Sequence, residues 1–410
     1  MKETNNVRAP HSFHPAVVHF VKDSMFIMEG KTDTNRFYII QDGKVRISRE
    51  IDKITHKQGN IAGPGDIVSA VSVMAGFSYI ETAVAHSNVT LLAIEKTQYG
   101  NLIRANPSIA MKIIQHFSQR LRALNDILYQ LAIQTPVKTN DSILIQVADY
   151  YMSQRKLSQA FYAYEQYSKI PNAEKLEEAK QRMARITSNI QIRRPEYSQD
   201  GIERTYPAGS LLSAEGEKGN ELYIIQEGLV KIAKISNNRE VVLAILQKGD
   251  IVGEMALLED QPRTATAEVI ENCKVMAVNR ENFEGLIKRS PDVVTRLTSL
   301  MAERIWIMYK QIANSMISNP LSRVYDSLLI QLVRERVSLE TSYPYQCNIG
   351  FKELAEMARV PLQDQDAVLK KLFLSKKISL VDNKIFVRDP SDVLRQTEYN
   401  RRAAMRSGLN

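Results

Sequence analysis

Two stretches of the chain alternate apolar and polar residues in the way that β-strands with one buried face do. Residues 37–48 read FYIIQDGKVRIS, and residues 222–233 read LYIIQEGLVKIA. A turn sequence interrupts each run, QDG in the first and QEG in the second, and a KGD turn follows in the second region. Short strands separated by such turns predict a β-sandwich or jelly roll in each region.

A different pattern, with apolar residues recurring every three or four positions, follows each strand-rich region. It covers residues 106–132 and 290–316, and it predicts two long amphipathic helices. The segments GDIVSAVSVMAGFSYIETAVA at 65–85 and GDIVGEMALLEDQPRTATAEV at 249–269 align without a gap. The chain therefore contains an internal duplication, in which each copy is a β-roll that ends in a long helix.

Between the two rolls, residues 141–186 show almost no strand pattern and predict two or three helices. Five residues there are spaced much as in a tetratricopeptide repeat: Ala148, Tyr151, Ala160, Tyr164 and Pro171. A single repeat cannot bury its apolar face alone. We therefore expect this hairpin to dock on a roll or on a neighbouring subunit, with a dedicated peptide-binding groove as the alternative.

The C-terminal region predicts helices and then a hairpin. After an amphipathic helix, residues 351–360 and 361–374 predict two short helices, and ISLVDNKIFV predicts a two-stranded wing that turns at Asp382 and Asn383. Three residues of the first short helix are expected to face inward: Leu354, Ala355 and Ala358.

These patterns together predict an α+β multidomain fold. It comprises two β-roll (jelly-roll) domains, a helical tetratricopeptide-like hairpin between them and a C-terminal winged helix-turn-helix. In chain order, the predicted domains are 12–134 for the first roll with its helix, 137–190 for the hairpin, 196–316 for the second roll with its helix, 317–392 for the winged module and 393–410 for a basic tail.

Composition narrows the functional classes. The 410 residues exceed one ordinary core, and 44% apolar with 24% charged residues is typical of a globular protein. We expect a cytoplasmic protein without a membrane partner, because no run of about 18 apolar residues and no apolar signal-peptide core occurs. The net charge of +8 favours a polyanionic partner, although a solvated basic face would give the same charge.

Catalytic and metal-binding patterns are not found in the sequence. His11, His14 and His19 have no carboxylate or cysteine at ligand spacing, and Cys273 and Cys347 have no CxxC partner. No nucleophile with a base, phosphate-cradling Walker loop or paired acid motif occurs either. We therefore expect no metal and no enzymatic activity.

The second copy carries a constellation suited to a cyclic phosphodiester. In GEMALLEDQPRTATA, at 253–267, an arginine follows a Gly-Glu pair nine residues after the glutamate. A planar guanidinium, here Arg263, can bind two phosphate oxygens while the N–H groups of a short helix add donors. A carboxylate, here Glu254, suits a ribose hydroxyl. The alternative is that the two residues form only a surface ion pair.

This pattern resembles the phosphate-binding cassette of the cyclic nucleotide-binding domain, a β-roll closed by a C-terminal helix. The resemblance implies a ligand of cAMP or cGMP and leaves the purine open. It assigns the base contact to Met308 and Tyr309 on the long helix, where Tyr309 could stack on a purine or belong to the core or a dimer seam. The implied binding residues are Gly253, Glu254, Met255, Ala256, Arg263, Thr264, Ala265 and Tyr309.

The first copy lacks this chemistry. The same alignment places Ala70 where Glu254 stands and Tyr79 where Arg263 stands. An unpaired phosphate buried there would be costly. We expect that the first roll does not bind the ligand in the usual way, unless another cation such as Arg36 or Lys44 reaches the pocket.

Residues 205–389 resemble the Crp/Fnr family of transcriptional regulators, whose winged helix binds DNA. The resemblance implies a cyclic nucleotide-responsive regulator that is a homodimer through its long helices, or that pairs its two rolls within one chain. The DNA contacts that it implies are Gln363, Gln365, Lys370, Lys371 and Lys384. Asp364 and Asp366 at the start of the second short helix depart from the family pattern. Their carboxylates would repel DNA phosphates, or they serve only to cap the N-terminus of that helix. The alternative is a nucleotide-sensing adaptor that binds proteins and not DNA.

Overall fold

The computed structural model describes residues 15–52, 59–133, 143–171, 173–192, 195–198, 202–236, 238–253, 262–279, 291–340 and 343–407. Its contacts divide the chain into two compact units, Met1–Gln119 with Glu281–Trp306 and Arg120–Arg280 with Ile307–Asn410. Each long helix is therefore shared between the units, and these limits differ from the predicted domain ends at 134 and 316. None of the described helices is long and apolar enough to cross a membrane.

The first roll consists of two four-stranded antiparallel sheets, as the alternation predicts. Their strand orders are β1-β8-β3-β6 and β2-β7-β4-β5. The strands are β1 (Ala16–Phe20), β2 (Met25–Ile27), β3 (Arg36–Asp42), β4 (Val45–Ser48), β5 (Asn60–Ala62), β6 (Ile67–Val68), β7 (Thr82–Ala85) and β8 (Val89–Glu95). Three helices accompany them: α1 (Ala70–Ala75), α2 (Tyr99–Ala105) and the long α3 (Pro107–Ile133).

The second roll forms one seven-stranded sheet. The path is β13-β12-β15-β10-β9, with β11 paired to β15 and β14 paired to β12. The strands are β9 (Glu196–Tyr197), β10 (Glu203–Tyr206), β11 (Leu211–Ser213), β12 (Glu221–Ser236), β13 (Arg239–Leu246), β14 (Ile251–Val252) and β15 (Thr266–Asn279). The long helix α7 (Pro291–Asn314) follows.

Main-chain hydrogen bonds repeat between the two rolls. Ile40 N–H donates to Asp66 at 3.0 Å in the first roll, and Ile225 N–H donates to Asp250 at 2.9 Å in the second. Gly65 N–H in turn donates to Ile40, as Gly249 N–H does to Ile225. The duplication inferred from the sequence thus extends to individual bonds of the roll.

Three helices lie where two or three are predicted: α4 (Ile143–Ser153), α5 (Leu157–Ser168) and α6 (Leu176–Asn189). Their apolar faces form one buried cluster that includes Leu211 and Ala214 of the second roll. Lys156, just before α5, donates to Glu268 of β15 at 2.9 Å. The helical segment therefore docks on the second roll.

The C-terminal region follows in the order α8 (Pro320–Arg334), β16 (Tyr345–Gln346), α9 (Phe351–Met357), α10 (Leu362–Leu374), β17 (Ile378–Val381), β18 (Lys384–Val387) and α11 (Pro390–Ser407). The predicted two-stranded hairpin turns at Asp382 and Asn383, both with positive φ, and β16 adds a third strand that the sequence does not predict. Leu354, Ala355 and Ala358 are buried, as expected.

This C-terminal region packs on the second roll through α8. Arg334 Nη1 donates to the carbonyl of Ile245 on β13 at 2.9 Å, and Gln331 Nε2 donates to Gln247 at 3.0 Å. Ile245 and Leu229 of the roll also belong to the apolar core of the C-terminal region. The ligand-binding roll that the sequence predicts is therefore continuous with the region predicted to carry the output.

Candidate functional site

Arg263 lies just before β15, and main-chain hydrogen bonds fix it there. Its N–H donates to the carbonyl of Glu217 at 2.8 Å, and its own carbonyl accepts the N–H of Gly216 at 2.9 Å. Two bonds to one neighbouring turn hold the backbone, so the direction in which the side chain leaves it is set by the fold.

Arg263 is 6% exposed, and main-chain oxygens hold its guanidinium. Nη1 donates to the carbonyl of Gly253 at 2.9 Å, and Nη2 donates to the carbonyl of Glu221 at 2.7 Å. Nε is buried and has no hydrogen-bond partner among the described residues. Because a guanidinium has five N–H donors, the two carbonyls leave donor capacity in a buried place. A buried cation with spare donors fits an anion such as a phosphate.

Two glycines make room for this guanidinium. A Cβ on Gly253 would lie 1.7 Å from Arg263 Nη1, and one on Gly219 would lie 2.7 Å from Nη2. Gly253 also has a φ of +87°, in the left-handed region. Gly253 was predicted as a site residue, whereas Gly219 was not, because a single glycine before a strand gives no sequence signal for contact with an arginine 44 positions later.

The pKa values of the two carboxyl groups near Arg263 are shifted in opposite directions. Burial raises the pKa of Glu217, although the Ala214 N–H and the charge of Arg263 act against that rise. Burial also favours a higher pKa at Glu221, but Arg204, which pairs with it at 2.6 Å, outweighs burial and leaves the pKa below its usual range. Glu221 is therefore an anion already neutralised by Arg204.

The remaining predicted cassette residues divide into two groups. Glu254, Met255 and Ala256 lie outside the described residues. Thr264 and Ala265 are partly buried beside Arg263. The structure thus brings Gly253, Arg263, Thr264 and Ala265 to one end of the second roll.

Tyr309, the predicted purine contact, lies on α7 and is buried. Its hydroxyl accepts a hydrogen bond from Nε of Arg120 on α3 at 2.9 Å, and the same guanidinium lies 4.9 Å from the centre of its ring. Met308 beside it is also buried. Tyr309 therefore joins the two long helices of the chain, which the alignment of α7 alone could not indicate.

In the first roll, the equivalent position has the same backbone and different chemistry. Tyr79 N–H donates to Lys31 and its carbonyl accepts Gly30 N–H, as Arg263 does with Glu217 and Gly216. Its hydroxyl donates to the carbonyl of Asp33 at 3.4 Å. No guanidinium of a described residue replaces Arg263 at this position.

A carboxylate occupies the neighbouring interior of the first roll. Glu81, aligned with Ala265, is 3% exposed and accepts Ser69 N–H at 2.7 Å and Arg49 Nη2 at 2.9 Å. A phosphate placed there would meet this anion. Of the alternative cations, Arg36 pairs with Glu95 at the surface, at 2.9 Å, and Lys44 is exposed.

The predicted DNA-contacting residues differ in their exposure and in the hydrogen bonds that they make. Gln363, Lys370 and Lys371 lie on α10 and are exposed. Gln365 Nε2 donates to the carbonyl of Val360 at 3.2 Å. Lys384 donates to Glu271 of the second roll at 2.6 Å and to the carbonyl of Asn348 at 2.8 Å. Lys384 thus links the hairpin of β17 and β18 to β15 of the second roll.

Comparison with known families finds a match for both rolls. The profile of the cyclic nucleotide-binding domain matches residues 17–106 and 203–290. Each roll is therefore similar to a cyclic nucleotide-binding domain over the residues matched. The second match contains Arg263 and its glycine cradle, whereas the first contains Tyr79 and Glu81. The two domains therefore share a fold but differ at the residue that suits a phosphate.

The chain is also similar to bacterial cyclic AMP-responsive regulators. The cAMP-activated global transcriptional regulator CRP of Salmonella typhimurium is 29% identical over 169 residues, which cover 41% of this chain and 80% of that protein. The cyclic AMP receptor protein of Thermus thermophilus is 35% identical over 103 residues, 25% of this chain and 48% of that protein. The solved Thermus thermophilus catabolite activator protein aligns with 48% of this chain and 90% of its own, at 27% identity and a TM-score of 0.26.

Proposed function

We propose that this protein is a cyclic nucleotide-responsive transcriptional regulator whose ligand, cAMP or cGMP, binds in the second cyclic nucleotide-binding domain. The observation that supports the proposal most strongly is the Arg263 guanidinium, buried in its glycine cradle with an unpartnered Nε. One phosphate oxygen would take the Nε donor. The other would take a donor of Nη2, which shares an edge of the guanidinium with Nε, in the bidentate arrangement that guanidinium favours.

The sugar and the base have separate determinants in this proposal. Glu254 would accept a hydrogen bond from the ribose 2′-hydroxyl, which distinguishes ribose from deoxyribose. The base would lie toward α7, where Tyr309 is already engaged with Arg120. A ligand that contacts Tyr309 would therefore also change the contact between α3 and α7.

Calorimetric titration with cAMP and cGMP tests the ligand proposal. Wild type should bind one of them, and Arg263→Ala should weaken binding by about 10- to 100-fold, since a hydrogen bond to a charged group contributes about 1.5–3 kcal/mol. Tyr79→Ala, the matched change in the first domain, should leave the affinity unchanged. Absence of binding by wild type would reject the proposal.

For the output, we propose that the C-terminal region is a winged helix-turn-helix and that α10 contacts DNA. Its exposed Gln363, Lys370 and Lys371 support this assignment, since glutamine can recognise adenine and lysines bind phosphates. Lys384 is not assigned a DNA contact, because its ammonium is paired with Glu271. The ligand would act by population shift, binding one arrangement of α7 and α8 more tightly than another.

A binding assay on genomic and random DNA at a series of salt concentrations tests whether the C-terminal region binds DNA. Affinity that falls steeply as salt rises, and that weakens in Lys370→Ala and Lys371→Ala, is expected for phosphate contacts. Exposed Lys44 in the first roll gives a matched charge control, since Lys44→Ala should have little effect. If the protein binds no DNA at any salt concentration, the alternative of a protein-binding adaptor is favoured.

For assembly, we propose pairing through the long helices, either as a homodimer or between the two domains of one chain. Sedimentation analysis at micromolar concentration distinguishes these, since a homodimer would sediment with the mass of two chains.

A further inference from the structure

The two cyclic nucleotide-binding domains of this chain differ in what covers one face of their sheets. In the first domain, strand register places Met25 opposite Val84, Val84 opposite Arg46, and Arg46 opposite Ile61. These four residues, here called the outer row, share one face because cross-strand partners point to the same side. Neighbours in sequence such as Val45, Ile47 and Ala83 are buried on the opposite face.

The second domain has the same row. Leu211 lies opposite Glu268, Glu268 opposite Lys231, and Lys231 opposite Ile245. There every member is buried, with Leu211 3% and Ile245 2% exposed. The helical segment covers one end, through Lys156 and Gln159 on Glu268, and α8 covers the other, through Arg334 on Ile245.

In the first domain, no element among the described residues covers the outer row. Met25 is 53% and Ile61 44% exposed, and Arg46 is also exposed. Next to Met25, a cavity of about 1030 Å³ opens between Phe26, Lys31 and Tyr38. A row of large apolar side chains beside an open groove is typical of an interaction surface.

The second domain has a cavity that corresponds to this groove, and α5 covers it. A cavity of about 370 Å³ in the second domain is lined by Leu212, Glu217 and Tyr223 and by α5 residues such as Tyr162. Glu217 and Lys31 are equivalent, because their carbonyls accept the N–H of Arg263 and of Tyr79, respectively. In the second domain α5 narrows this groove, with the Tyr162 hydroxyl 3.1 Å from Glu217.

The uncovered face is more positive than the covered one. Glu268 is replaced by Val84 and Glu217 by Lys31, while Arg46 keeps the positive charge of Lys231. Within the groove, Lys31 and Lys96 outnumber Asp33, and Arg36 is neutralised by Glu95. A helix that docks like the segment on the second domain would place Lys156 beside Arg46 with no carboxylate between them. A second copy of this chain is therefore a poor occupant.

We propose that the outer row and its groove bind an acidic amphipathic helix of another protein, with a carboxylate paired to Arg46 and apolar side chains on Met25, Val84 and Ile61. Four strands at about 4.8 Å spacing make the row about 14 Å long, which matches roughly ten helical residues. Such a helix would present one stripe of side chains spaced at i, i+3, i+7 and i+10, about 15 Å from first to last. The first domain would then serve as a protein-docking module, separate from the nucleotide site of the second.

The probe is a synthetic amphipathic helix with leucines at three stripe positions and a glutamate at the position facing Arg46. A second peptide has lysine in place of that glutamate. By fluorescence anisotropy, the full-length protein should bind the glutamate peptide at least about tenfold more tightly than the lysine peptide, and Arg46→Glu should reverse the order. Lys44→Glu, which makes the same charge change on an exposed residue outside the row, should keep the wild-type order.

Each result bears on the proposal. Reversal by Arg46→Glu alone supports it, whereas absence of binding by wild type or equal binding of both peptides overturns it. A wild-type dimer that Met25→Asp dissociates would assign the face to a second copy and also overturn it. Thermal melting of each variant verifies the fold, and the outcome is independent of whether the second domain binds a nucleotide.

Discussion

The phenol hydroxyl of Tyr162 lies 3.1 Å from each carboxylate oxygen of Glu217 and donates to it. The main-chain carbonyl of Glu217 in turn accepts the N–H of Arg263. Tyr162 lies on α5 of the helical segment, so only one residue separates that segment from the proposed phosphate anchor. A movement of the Arg263 main chain on ligand binding would therefore reach α5 through Glu217.

Replacing Tyr162 with phenylalanine removes that hydroxyl and leaves the ring. The free energy of unfolding should fall by about 1.5–3 kcal/mol, because a buried carboxylate loses a hydrogen bond. Nucleotide affinity should change less than in Arg263→Ala, since the guanidinium keeps its own contacts. Urea unfolding measures the first effect and calorimetry the second.

Tyr197→Phe is the matched control, because Tyr197 lines the same cavity but is exposed. Its unfolding free energy should stay within about 0.5 kcal/mol of wild type. Equal loss of stability in both variants would contradict a specific role for the Tyr162 hydroxyl.

Gly253→Ala should disturb both the backbone and the arginine. The positive φ costs an alanine about 1–2 kcal/mol, and its Cβ would collide with Nη1 of Arg263. Nucleotide affinity should therefore fall together with stability, as calorimetry and thermal melting would show.

Gly65→Ala separates these two effects. Gly65 has a φ of +90°, but a Cβ there would meet no atom within 4 Å. The control should lose a similar backbone increment and keep the wild-type affinity. If both variants bound nucleotide equally well, the glycine cradle would have no part in the site.

Much of this arrangement could be predicted from the sequence, and the limits are physical. Repeated turns and β-branched runs predict both rolls, and Tyr79 in place of Arg263 predicts the lost cation. The partners of Arg263 are main-chain carbonyls, which every residue has, so no sequence pattern distinguishes Gly253 and Glu221 as acceptors. Contacts between distant helices, such as Arg120 with Tyr309, depend on packing that periodicity does not determine.

Lys384 shows the same limit at the surface. Its place in a predicted wing made it a candidate for DNA, since lysines in wings face phosphates. The structure instead pairs it with Glu271 of the second roll, 113 positions earlier. The outer row is a further example, because the alternation of Arg46 and Ile61 with buried neighbours predicts an outward face but not whether another element covers it.

Weakening the contact between the C-terminal region and the second roll should uncouple nucleotide binding from DNA binding. Arg334 is buried and donates to the carbonyl of Ile245, and burial lowers its pKa to about 10. Arg334→Met should keep most of the apolar volume while removing that bond and the ion pair between Arg334 and Asp250. We expect unchanged nucleotide affinity with faster hydrogen exchange in α8, and loss of any ligand effect on DNA binding. Exposed Arg402→Met, on α11, should leave all three properties unchanged.

Stability should depend on pH through Glu215. Burial raises the pKa of this carboxyl to about 7, and Lys234, whose Nζ is 3.9 Å away, offsets only part of the rise, while Asp126 adds to it. Between about pH 4.5 and pH 7 the folded protein therefore holds a proton that the unfolded chain releases. Stability from this group is complete below pH 4.5 and is lost as pH rises toward 7, by about 3 kcal/mol.

The isosteric variant Glu215→Gln isolates that contribution, because glutamine cannot titrate and keeps the size of the side chain. Urea unfolding at a series of pH values should show wild type losing stability relative to the variant as pH rises from 4.5 to 7. Above pH 7 the difference should level off, since Glu215 is then ionised in both states. A difference that stays constant across this range would mean that Glu215 is charged in the folded protein, with Lys234 compensating its burial in full.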